Sequence, residues 1–155
     1  MKIATLIFFF IAGLTTTFAQ QQADLATQAK KVLALLDESL KAKVIYDYKD
    51  EERFSWHFVP RSRKGVSFYD LNKLQKDAVM TLINASLSEQ GYKKASGILA
   101  LEATLREVEG RSAHDTYRDP LKYYFTLFST PSADKPWGWR LEGHAVFAHA
   151  LGPAR

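Results

Sequence analysis

Apolar residues recur at three- and four-residue steps in three stretches of the chain and give way elsewhere to strand-forming runs, and this change of period divides the sequence into helices and strands. Over residues 24–40, Leu25, Val32, Leu33, Leu36 and Leu40 mark an amphipathic helix with one buried stripe. Lys41 and Lys43 follow it, where cations suit the negative end of a helix. A second helix is expected over 70–90, with Leu71, Leu74, Ala78, Val79, Leu82 and Ile83 inward, Asp70 as N-cap and Gly91 as its stop. A third runs over 93–109, turns Ala95, Ile98, Leu99, Leu105 and Val108 inward, and ends at Gly110. Between the first two, Phe54, Trp56 and Phe58 alternate with Ser55 and His57 up to Pro60, which predicts a strand.

The second half reads as an antiparallel hairpin. Tyr123 to Phe128 is rich in aromatic strand formers, Thr130 to Pro136 holds two prolines and breaks the run, and a second strand is expected over 137–148. In that second strand Arg140, Glu142 and His144 fall on one face and Trp137, Trp139 and Leu141 on the other. The polar face is expected at the solvent side, where alanine substitutions shift thermal stability by no more than a few degrees. The fold class that follows is α+β, three helices packed on a small antiparallel sheet, with 20–155 as one domain.

The first nineteen residues read as a leader rather than as part of that domain. Lys2 gives a basic start, Ile3 to Leu14 an apolar run, and Thr17-Phe18-Ala19 a small-residue exit, so cleavage is expected after Ala19 and the protein is expected to be periplasmic or secreted. The run is shorter than the roughly twenty residues a bilayer span needs, so no stable membrane insertion is expected after cleavage. No cysteine is present, which removes disulfides, thiolate metal sites, cysteine nucleophiles and a lipid-anchored lipoprotein together. Packing by ten Phe, seven Tyr and three Trp must then hold the domain. Without Lys2 the formal net charge of +4 falls by one, and the basic residues are scattered among acids rather than gathered in a stripe, so no nucleic-acid partner is expected.

The candidate chemistry gathers on the tryptophan strand. Strand neighbours two apart can bring the tips of Glu142 and His144 onto one proton or one ligand, the arrangement of a general base or a metal-bound histidine. Arg140 disfavours a metal, because a like charge at about 6 Å costs roughly 3 kcal/mol at an effective dielectric of 20. A small polar or anionic ligand suits the three better, with Arg140 supplying a bidentate fork. Against this stands the plain alternative that Arg140 and Glu142 pair on a wet face and His144 sits at its rim. His57, Arg118 and Asp119 are secondary candidates for ligand contact, although Arg118-Asp119-Pro120 also has a mechanical reading in which Asp119 accepts from amides just beyond it. Ser96-Gly97 lacks a nucleophile elbow, and no phosphate-cradling glycine loop or other cofactor motif occurs. Two classes therefore stay open: an exported domain that binds a small polar ligand or a partner, and a hydrolase-like enzyme with His144 as base, oriented by Glu142, and Arg140 stabilising negative charge.

Trp56-His57-Phe58-Val59-Pro60, Arg63-Lys64-Gly65, Leu87-Ser88 with Gly91-Tyr92, Arg118-Asp119-Pro120 with Tyr124, and Trp137-Gly138-Trp139-Arg140 with Glu142-Gly143-His144 together resemble an exported bacterial family catalogued as domain of unknown function 3500. The resemblance covers about Leu25 to His144 and brings no reaction with it. Members of that family carry a second histidine after the first, then roughly as much chain again, where this sequence has Ala145 and stops at Arg155. The resemblance thus implies a truncated domain, and the apolar run Ala145 to Ala148 is expected to leave an unpaired edge through which copies self-associate.

Overall fold

The computed structural model describes residues 20–152 apart from positions 56, 58, 60 and 113, and it gives the backbone alone at Phe147. The expected leader over 1–19 lies outside the described residues, as do Trp56, Phe58 and Pro60 of the expected aromatic strand. The fold class is α+β: four α-helices and a five-stranded, mostly antiparallel sheet among the described residues.

The helix expected over 24–40 is two helices. α1 covers 20–35, and α2 (Glu38–Val44) restarts behind Asp37, whose carboxylate accepts from the Leu40 amide at 2.8 Å. An aspartate in extended conformation competes with continuation of the helix by offering the next first turn a better cap. Lys41 and Lys43 lie in the last turn of α2, the place where cations are favoured. The chain passes directly into β1 (Ile45–Tyr46).

The aromatic strand expected around Phe54 is not formed there. Glu51–Phe54 is a 3₁₀ turn capped by Asp50, which accepts from the Glu52 amide, and Phe54 is 71% exposed. The acidic cluster before Phe54 caps and starts a helical turn, and that local preference takes Phe54 out of an extended run. β2 (Val66–Ser67) follows.

Asp70 does not cap the next helix; it accepts from the amide and hydroxyl of Ser67 and closes a turn. The N-cap of α3 (Lys73–Ser86) is Asn72, in a reciprocal capping box with Gln75. That shift exposes Leu74 and buries Gln75, whose amide nitrogen donates to the Leu35 carbonyl at 2.9 Å. Gly91 is no stop: Ser88 caps α4 (Glu89–Val108) by accepting from the Gly91 amide inside its first turn. Val108, expected inward, is exposed near the end of α4, which gives way at Gly110 with φ of +64°.

β3 (Tyr124–Phe128) and β4 (Gly138–Glu142) form the expected hairpin, with Thr126 opposite Arg140. The second strand does not run on to 148. A turn closed by the Gly143 amide on the Val146 carbonyl, with Ala145 at φ +56°, sends the chain back as β5 (Phe147–Leu151), antiparallel to β4. The sheet order is β1-β3-β4-β5, with β1 parallel to β3 and β2 antiparallel to it. Phe125, Leu127, Trp139 and Leu141 share one face and join Ala29, Val32, Val79, Leu82 and Ile83 of the helices in the core. The other face carries Thr126, Arg140 and Glu142, and Glu52, Ser55 and Arg63 lie over it. Gly65, at φ +94°, approaches so closely that a Cβ there would meet the Phe125 carbonyl oxygen at 2.4 Å.

Candidate functional site

The polar face expected at the solvent side is buried. Arg140 and Glu142 are each 1% exposed, because the overlying segment supplies their partners. Arg140 donates through Nη1 to the carbonyls of Glu52 and Ser55 and through Nη2 to Glu52 Oε1 at 2.6 Å, and it also lies 2.6 Å from Glu142 Oε1 as an ion pair without hydrogen-bond geometry. Arg63 pairs with the other oxygen of Glu142 at 2.9 Å and donates to the carbonyls of His57 and Val59 at 2.6 and 2.8 Å. Burial pushes the Glu142 carboxyl above its ordinary value, against the pull of the two guanidinium groups. Burial likewise lowers Arg63 from its ordinary value, with Glu142 opposing.

Above this cluster lies a polar cleft of about 210 Å³ whose lining includes Ser55, His57, Arg61, Arg63, Lys64 and Glu142. Arg61, Arg63, Lys64 and the underlying Arg140 set four cations against the carboxylates of Glu52 and Glu142. Arg63 is almost fully enclosed, yet its Nε has no hydrogen-bond partner. The arrangement is suited to hold an anion: fixed donors in a partly desolvated place, with a charge excess that an oxyanion would offset.

His144 belongs to a different cluster. Its carboxylate neighbour is Glu102 of α4, at 2.9 Å from Nδ1, and not Glu142, whose partners are Arg63 and Arg140. Arg118 Nη1 lies 2.7 Å from the same Nδ1, and its Nη2 is 2.6 Å from Glu109. A guanidinium only donates, so Nδ1 can accept from Arg118 or donate to Glu102, and the two contacts exclude one another at any moment. Tyr123 donates to the His144 carbonyl at 2.7 Å and sits 3.2 Å from Glu102, and burial pushes its phenol well up. Gly143 is required beneath it, since a Cβ would meet the Tyr123 ring at 2.5 Å.

Of the sequence-predicted residues, His57 lines the same cleft as Glu142, and Arg118 is brought to His144, while Arg140 and Glu142 pair with Arg63 and Glu52 and not with His144. Asp119 stands apart: it accepts from the Leu121 amide at 2.8 Å, the mechanical role, and from the Tyr69 hydroxyl, whose pKa that contact raises to about 12. Among the described residues no group of three His, Asp or Glu could hold a metal ion, and no helix is long and apolar enough to cross a membrane. Sequence reasoning missed Glu52, Arg61, Arg63, Lys64 and Glu102 as site residues. Glu102 left a signal: it continues the buried stripe of Ala95 and Leu99, where a carboxylate has no place without a partner.

The chain belongs to the family described as protein of unknown function (DUF3500), which matches residues 18–151. No curated protein and no solved structure matches it.

Proposed function

We propose that this member of the DUF3500 family is an exported binding protein for a small oxyanion, held in the cleft between His57, Arg61, Arg63 and Lys64. The observation that carries the reading is Arg63: a guanidinium enclosed to 3% exposure, fixed by Glu142 and backbone carbonyls, lining a cleft while one N–H stays without a partner. An oxyanion in the cleft would offset the excess of cations over Glu52 and Glu142 and accept charge-assisted hydrogen bonds from Arg61 and Lys64. Export is supported by Lys2, the apolar run Ile3 to Leu14 and the exit Thr17 to Ala19; on this reading the protein recovered from outside the cytoplasm begins at Gln20.

Calorimetric titration with inorganic phosphate and with malonate tests the binding claim and separates phosphoryl from carboxylate ligands. Saturable binding that weakens with added salt is expected from at least one of the two. The double variant Arg61→Gln/Lys64→Gln, both residues exposed, should weaken it about tenfold or more, the worth of one charge-assisted hydrogen bond, without moving the melting temperature. No saturable heat from either anion, or unchanged affinity in the double variant, would refute the reading.

A second reading is favoured by the 2.9 Å contact between His144 and Glu102: a hydrolase-like enzyme with His144 as base, oriented by Glu102 in place of the expected Glu142 and with Arg118 in place of Arg140 beside it. It predicts p-nitrophenyl acetate hydrolysis that disappears in His144→Gln and changes its pH profile in Glu102→Gln. Hydrolysis equal to that of a boiled sample would end it.

A further inference from the structure

A second cleft, of about 290 Å³, opens on the same sheet face beside the ends of β3, β4 and β5, lined in part by Arg53, Phe54, Phe128, Arg140 and Leu151. Its volume is near the lower end of the roughly 300–1,000 Å³ usual for small-ligand pockets. Two of its apolar side chains are uncovered, Phe54 at 71% and Leu151 at 45% exposure, while Phe128 is buried in its wall. Its charged groups are the Arg53 and Arg140 guanidiniums, with His149 in the lining beside them. The Arg53 guanidinium lies 4.2 Å over the Tyr48 ring and 4.5 Å over Phe54, and that of Arg140 lies 5.4 Å from the Phe128 ring centre. Both keep an Nε–H with no hydrogen-bond partner, and Arg140 is nearly inaccessible to water. The Nη groups of Arg140 are already engaged by Glu52, Ser55 and Glu142, so Arg53 is the cation through which the cleft would meet an acceptor.

We propose that this cleft binds a small arene carboxylate, the ring against Phe54, Phe128 and Leu151 and the carboxylate on the Arg53 guanidinium. The walls are apolar and aromatic, so a hydrated anion such as phosphate gains little there. The Arg53 guanidinium is cationic, so a carboxylate gains an ion pair there that a neutral arene does not. The ligand must therefore join a flat apolar body to an anionic acceptor. This cleft is separate from the oxyanion cleft of His57, Arg61 and Lys64, and the proposal stands without it.

The test is titration of the protein with 1-naphthoate and with its neutral analogue 1-naphthalenemethanol, followed calorimetrically and by fluorescence of Trp139, which also lines the cleft. Naphthoate is expected to bind saturably and the alcohol about tenfold or more weakly, the fold-change of one lost charge-assisted hydrogen bond. Arg53→Gln should reduce naphthoate binding by a similar factor, and Arg61→Gln/Lys64→Gln should leave it unchanged. Equal affinity for acid and alcohol, no saturable naphthoate binding, or sensitivity to the Arg61/Lys64 pair alone would overturn the proposal. Should Arg53→Gln fail to fold by circular dichroism, the acid and alcohol comparison on the unaltered protein decides the matter by itself.

Discussion

Replacing Arg140 by methionine tests whether the buried charge cluster holds the sheet to the segment that covers it. Methionine keeps an unbranched apolar stem and deletes the guanidinium. The deletion strands the carbonyls of Glu52 and Ser55, removes the 2.6 Å contacts to Glu52 and Glu142, and leaves those carboxylates with Lys64 at 3.8 Å and Arg63 at 2.9 Å. Breaking a buried ion pair from one side costs about 3–5 kcal/mol; with Arg63 and Lys64 still present, about 3 kcal/mol is expected here. Against a total stability of about 5–15 kcal/mol that is a large share, and at about 3 °C per kcal/mol it lowers the melting temperature by about 10 °C. Urea denaturation, with m-values compared, is the assay. Its pH dependence adds a second readout. Burial already raises the Glu142 carboxyl, and loss of Arg140 raises it further. A carboxyl whose folded pKa exceeds its unfolded one weakens the fold increasingly as pH rises above the unfolded value of about 4.5, so the deficit of the variant should shrink as the pH is lowered from neutral towards 4.5. A loss below about 1 kcal/mol, or a deficit constant over that range, would refute the account.

Gly143→Ala should cost about 1–3 kcal/mol by overpacking against the Tyr123 ring, measured by the same denaturation. Ala145→Gly should raise stability by about 0.5–1 kcal/mol, since Ala145 is held at φ +56°, where an L side chain is disfavoured; a lower melting temperature would contradict this. Arg118 and Arg111 hold the Glu109 carboxyl down to about 2, so its contribution is present above about pH 4.5 and lost as pH falls towards 2, and Glu109→Gln should flatten the acid limb of a stability-against-pH curve.

Periodicity located the helices and the hairpin because long amphipathic stretches and paired aromatic strands are specified locally. It failed where a short polar side chain offers the backbone another partner: Asp37 divides the first helix, Asp50 sets Phe54 in a 3₁₀ turn, and Asn72 takes the cap from Asp70. The candidate site was legible in part. Spacing placed Arg140 and Glu142 on one face, but whether that face meets water depends on what folds over it. The covering segment carries Glu52 and Arg63, 88 and 79 residues from their partners, and nothing local announces such a contact. His144 was separated from Glu142 by the turn at Gly143 to Val146, whose non-glycine residue at positive φ, Ala145, has no sequence signature of a turn.

The oxyanion reading is tested most directly by an amide chemical-shift titration of the isotopically labelled protein with inorganic phosphate and malonate. The account predicts saturable shifts confined to the amides of Ser55, His57, Arg61 to Lys64, Glu142 and Gly143, which saturate at about tenfold or more higher anion concentration in Arg61→Gln/Lys64→Gln. Shifts that grow without saturating, or that centre elsewhere in the molecule, would contradict it.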